Sequence, residues 1–195
     1  QRNPEQRRIV RVNVTIFKDP DTGIGYASTN HVLEEFKRAN IAWSPACIKF
    51  EINNINTADA PTSQIEGMTS NIFGDQVLNY PHDTDIIIER YSGFASINTL
   101  ELFIVPRIII PFNSERRVYA LGLTLSPVAG IADLGLNTFV FLGNNLEVSN
   151  RTLAHEMGHA LTNGLDVDCP PLPIFFPVQP TQECDSTYNP DDSPF

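Results

Sequence analysis

The sequence predicts an α+β protein: a twisted mixed sheet of about five strands with an antiparallel edge strand, a backing helix, a second helix late in the chain, and a small irregular C-terminal lobe. Three observations carry that prediction. IVRVNVTIF (9–17) alternates apolar and polar residues along its whole length, as a half-buried strand does. Residues 30–39 then repeat apolar side chains at helical spacing, so a strand and a helix follow one another within the first forty residues. Near the other end, the short apolar run NTFVFLG (137–143) precedes a helix-period segment that contains His155, Glu156 and His159.

Taken in order, Val10, Val12, Val14 and Ile16 form one face of the first strand, and DPDTGIG (19–25) ends it. Val32, Leu33, Phe36 and Ala39 mark a helix that packs on the sheet and stops at Pro45. CIKFEINNI (47–55) reads as a second strand. The polar segment 56–82 reads as a long loop. TDIIIERY (84–91) reads as a third strand, and its unbroken apolar run places it in the middle of the sheet. In LELFIVPRIII (100–110), Pro106 has no N–H for a ladder, which moves the segment to an edge or a loop. VYALGLTLS (118–126) alternates as an exposed edge strand with a bulge at Gly122, and 137–143 is a short buried strand. Ser149 or Asn150 caps the last helix, which ends near Asn163-Gly164.

Beyond Gly164 periodicity disappears, and seven of the fifteen prolines fall between Pro170 and Pro194. The expected organisation is therefore one domain, 1–195. Residues 1–163 form an upper sub-domain with the sheet and two helices, and 164–195 form a short Pro-rich C-terminal sub-domain.

A net charge of -10 and a pI of about 4.7 argue against nucleic acid or an anionic membrane as partner, since both repel an acidic surface. No apolar run approaches the roughly 18 residues that a membrane span requires. The start QRNPEQRRIV has no apolar signal core, so export implies a targeting segment removed earlier. The three cysteines show no C-x-x-C spacing. Cys169 and Cys184 flank the proline-rich stretch, where a disulfide constrains the chain most, and Cys47 is left as a buried thiol. Asn13 and Asn150 head N-x-T triplets that suit a secreted protein, but each lies at or in a regular element, which disfavours a glycan.

RTLAHEMGHALTNGLDVD (151–168) holds the densest chemistry. On a helix, positions four apart differ by about 40° in azimuth and about 6 Å in rise, so His155 and His159 point the same way from successive turns and can meet one ion. Catalytic zinc takes three protein ligands and a water, with nitrogen ligands at about 2.0–2.1 Å. Glu156 is rotated by about 100° from His155. That places its carboxylate beside a metal-bound water, where a general base belongs. His31 and His82, in turns or helix starts, read as surface residues, and Asp83, Asp85, Asp191 and Asp192 read as solvated charges.

The order strand, helix, strands, exposed edge strand, short strand and HExxH helix resembles the zinc peptidases called metzincins. In that family the motif extends to H-E-x-x-H-x-x-G-x-x-H/D. His155, Glu156 and His159 match, whereas Thr162 stands in the glycine slot and Leu165 in the third-ligand slot. A helix that overruns to Asn163-Gly164 delivers Asp166 one place late. Asp166 is the first choice for third ligand, with Asp168 next and Glu183 as in thermolysin-like zincins. The family also carries a methionine turn beneath the metal, and no methionine follows Met157 here. The resemblance implies one catalytic Zn2+ held by His155, His159 and Asp166, with Glu156 as base. It implies a secreted or extracytoplasmic, monomeric endopeptidase acting on peptide or protein substrates, which lie along the edge strand near 118–126. The competing expectation is a non-catalytic secreted module that keeps the zinc helix; a zinc hydrolase of non-peptide substrates is a third.

Overall fold

A computed structural model describes residues 8–65, 68–91, 99–111, 117–125, 139–144 and 151–161. Strand β1 (Arg8–Lys18) leads into helix α1 (Thr29–Trp43), which is capped by the Ser28 side chain accepting from the His31 N–H at 3.2 Å. Helix α1 stops just before Pro45, as anticipated, and a 3-10 turn at Ser44–Ala46 leads to β2 (Ile48–Asp59). Strands β6 (Thr99–Val105), β9 (Gly122–Leu125) and β10 (Phe139–Gly143) complete a five-stranded sheet in the order β2-β1-β6-β10-β9. Its pairings are parallel except the last, β10 with β9, which is antiparallel. The mixed sheet with one antiparallel edge strand is thus present, in an α/β arrangement with three α-helices among the described residues.

Strand alternation sorts the core into two layers. Val12, Val14, Leu102, Ile104, Val140 and Leu142 face α1 and α3 (Thr152–Leu161). Phe17, Phe103, Phe139 and Phe141 face the other way, in an aromatic cluster. The Phe103 ring lies 5.2 Å from that of Phe141 and 6.0 Å from that of Phe17. Helix α1 is tied to the sheet by the buried Asn40, whose amide donates to the Phe50 carbonyl and accepts from the Phe50 N–H. Both polar ends of a buried side chain are thereby satisfied.

Several sequence expectations are overturned. The segment TDIIIERY is not a central strand but belongs to helix α2 (His82–Tyr91). At a period of 3.6, Thr84, Ile87 and Tyr91 form its inner stripe while Asp85, Glu89 and Arg90 face water. Three consecutive isoleucines mask that stripe in the sequence. Acid residues in its first turn and Arg90 in its last suit the helix dipole. Asp83 is not a solvated charge: it is buried, and its carboxylate accepts from the Asn79 N–H at 2.7 Å.

Nor is the segment around Pro106 an edge. β6 occupies the middle of the sheet, and Pro106 marks where the chain leaves it for β7 (Arg107–Pro111). β7 lies in a second, three-stranded sheet with β5 (Val77–Asn79) and β8 (Arg117–Ala120). A proline is tolerated there because the ladder changes partners at that residue. The chain crosses between sheets again at Leu121, from β8 to β9. The register of β9 against β10 runs without a shift, so Gly122 lies on the edge strand as expected but forms no bulge. The irregularity in the sheet falls instead between Val12 and Asn13 on β1.

The polar segment 56–82 is not a loop. It continues β2 to Asp59 and adds an antiparallel hairpin, β3 (Thr62–Ile65) with β4 (Met68–Asn71), and then β5. Serine and threonine on both faces gave it no alternation to read. Finally, Cys47 is no free thiol; it is disulfide-bonded. Cys169 and Cys184 lie outside the described residues. Asn13 lies within β1, with its amide donating to Glu101 at 2.7 Å and accepting from Asn53 at 2.8 Å, an arrangement with no room for a glycan. Asn150 and the proposed caps and turn of the last helix lie outside the described residues, as does the C-terminal stretch 162–195.

Candidate metal centre and its carboxylate

Helix α3 has three distinct faces. Leu153 and Met157, four apart, are buried in the core against the sheet. Thr152 and Glu156 are buried on a second face, and His155 stands exposed on the third with the partly exposed His159 one turn on. Two contacts hold the helix against α1. The Trp43 indole N–H donates to the Ala154 carbonyl at 2.9 Å, and the ring lies over Gly158, where an added Cβ would sit 3.1 Å from it. A glycine inside a helix costs about 1 kcal/mol relative to alanine; here its missing side chain is what lets the indole approach.

The ring Nε2 atoms of His155 and His159 converge to 2.9 Å, with the rings nearly perpendicular. At that distance one ring donates a proton to the other. Two nitrogens bound tetrahedrally to zinc stand about 3.3 Å apart, given bonds of about 2.0–2.1 Å. The pair therefore fits two corners of a zinc site after opening by a few tenths of an ångström. Among the described residues no group of three or more His, Cys, Asp or Glu is placed to hold a metal. Asp166, and with it Asp168 and Glu183, lies outside the described residues.

Glu156 is 6% exposed. Its carboxylate accepts from the Thr124 hydroxyl at 2.6 Å, within the range of charge-assisted hydrogen bonds. It rests against β9 at Gly122, where a Cβ would meet its side chain at 2.5 Å. Thr124 and Trp43 were not anticipated as part of the site. A helix-interior glycine and the chain's single tryptophan were visible signals for the Trp43 contact, whereas nothing local marks Thr124, which is 32 residues from its partner. His31, read as a surface residue, is partly buried in the first turn of α1 with Nε2 4.0 Å from the buried Glu35; His82 is exposed, with Nδ1 2.8 Å from Asp83.

Another buried carboxylate, Glu101, lies on the opposite face of the sheet. Glu101 is held above the usual carboxylate range by burial, which outweighs the hydrogen bonds donated by Asn13 and Thr99.

No protein-family model matches the chain, and no curated protein matches it. Among the described residues no helix is long and apolar enough to cross a membrane.

Proposed function

We propose that this chain is a zinc-dependent endopeptidase in which His155 and His159 supply two ligands, Asp166 supplies the third and Glu156 is the general base. The observation that carries the reading is the juxtaposition on α3: two imidazole nitrogens converge 2.9 Å apart, next to a buried carboxylate fixed to the edge strand. The element order on which the metzincin resemblance rests gives further support, with β9 as an antiparallel edge strand followed by β10 and the HExxH helix.

Bound at this pair, zinc would supply a Lewis acid and a water acidified towards neutrality. The protein's own contribution is positional. The i, i+4 spacing aims both imidazoles at one point. Burial and the Thr124 bond keep Glu156 in one place, ready to take a proton and return it to a leaving amine. A peptide added along β9 as a further strand would lie beside that carboxylate. The disulfide at Cys47 supports a secreted or extracytoplasmic setting, since such bonds persist in oxidising compartments. The net charge of -10 supports a partner that is neither nucleic acid nor membrane, and the reading takes the enzyme as a monomer.

One observation favours the second reading, a non-catalytic zinc-binding module: the hydrogen-bonded burial of Glu156 also suits a purely structural role. Cleavage of an unfolded protein by the zinc-loaded chain decides between the two. The peptidase reading expects cleavage that Glu156→Ala lowers by about a hundredfold or more. No cleavage, or equal cleavage by the variant, overturns it.

A further inference from the structure

We propose that Thr124 is a positioning residue for Glu156, and that Gly122 provides the space in which the carboxylate stands. The inference rests on the reading of Glu156 as general base. A glutamate has three side-chain torsions, so its place on a helix fixes the Cα and leaves the carboxylate free over several ångströms. Here the neighbouring strand removes that freedom.

The Thr124 hydroxyl lies 2.6 Å from Glu156 Oε2 and 3.0 Å from the Glu156 carbonyl oxygen. A hydroxyl has one proton, and the shorter contact with the charged acceptor takes it. Two residues earlier on the same strand face, Gly122 leaves a gap that the acid fills. A Cβ there would lie 2.5 Å from Cγ, 2.6 Å from Oε1 and 2.7 Å from Cδ of Glu156. These three nearest atoms all belong to the glutamate side chain, so a larger residue displaces the acid first. The strand itself is held by its register with β10, Gly122 opposite Leu142 and Thr124 opposite Val140. Oε2 is thus held by Thr124, and Oε1 stands above Gly122. The edge strand therefore sets the geometry of the base as well as offering a ladder to substrate.

The test compares Thr124→Val, Thr124→Ser and Gly122→Ala with the parent in the full chain. With zinc bound at parental stoichiometry, Thr124→Val is expected to lower kcat about ten- to a hundredfold, the worth of one hydrogen bond to a charged group, with little change in KM. Thr124→Ser is expected to restore most of that loss, and Gly122→Ala to lower kcat while zinc uptake persists. In the zinc-free protein at fixed pH, the 13C carboxyl resonance of Glu156 is expected to move in Thr124→Val and Gly122→Ala and to return in Thr124→Ser. An inactive parent, or an active Glu156→Ala, overturns the general-base reading and this inference with it. An active parent whose Thr124→Val variant keeps the parental kcat and an unmoved Glu156 resonance overturns the inference alone.

Discussion

The indole N–H of Trp43, at the C-terminal end of α1, donates to the carbonyl of Ala154 in α3 at 2.9 Å, 111 residues later in the chain. Its ring covers Gly158, between Glu156 and His159. One side chain thus docks the histidine-bearing helix on α1, the other helix of that layer among the described residues. Trp43→Phe keeps much of the ring and loses the donor. We expect it to destabilise the fold by about 1–2 kcal/mol, from the lost hydrogen bond and the poorer fit, measured by urea unfolding. An unchanged midpoint would show that the two helices dock without it.

Zinc binding is expected at one ion per chain and to depend on both imidazoles. His159→Ala should weaken zinc by at least about a hundredfold in chelator competition, since changes outside the ligand set alone cost about 10- to 100-fold. Zinc at about a hundred times its Kd should stabilise the parent by about 2.7 kcal/mol, and a thermal scan of His159→Ala should lose that gain. Equal zinc affinity in parent and variant would remove His159 from the metal site.

Glu101 makes stability fall with rising pH. Burial raises its folded pKa above the ordinary value of 4.5, so the folded protein binds this proton more tightly than the unfolded chain. The contribution is complete below about 4.5 and is lost as pH rises through the folded value. Glu101→Gln keeps an acceptor for Asn13 and Thr99 and has no charge to bury. It should be more stable than the parent at pH 7 and close to it at pH 4, by denaturant titration at both. A constant difference between the two pH values would contradict this.

Peptide mapping without reduction should find Cys47 in a cross-linked fragment. Cys47→Ser should destabilise the fold by about 2–4 kcal/mol, the usual worth of a disulfide. Cys47 recovered as a free thiol in the map would refute the bond.

Much of the frame was legible in the chain. β1, α1, β2 and β10 were readable because each buries one face, or is short and wholly apolar, so period and length suffice. The segments at 84–91 and 100–110 misled for opposite reasons. Isoleucines crowded together hid a helical stripe in α2, and Pro106 looked like a demotion when it is a crossing point between two sheets. The hairpin at 62–71 carries serine and threonine on both sides, so only its pairing reveals it. Cys47 shows the same limit, since three cysteines allow three pairings and spacing chooses none of them.

The sequence by itself determined the i, i+4 histidines, the glutamate between them and the helix that aims both rings one way, because helical geometry is local. Only the tertiary structure decided that Glu156 is buried, that Thr124 and Gly122 hold its carboxylate, and that Trp43 docks its helix. Those contacts join residues 32 to 111 positions apart. They exist because the sheet order places β9 beside β10 and packs α1 and α3 on one face, a juxtaposition that no periodicity along the chain encodes.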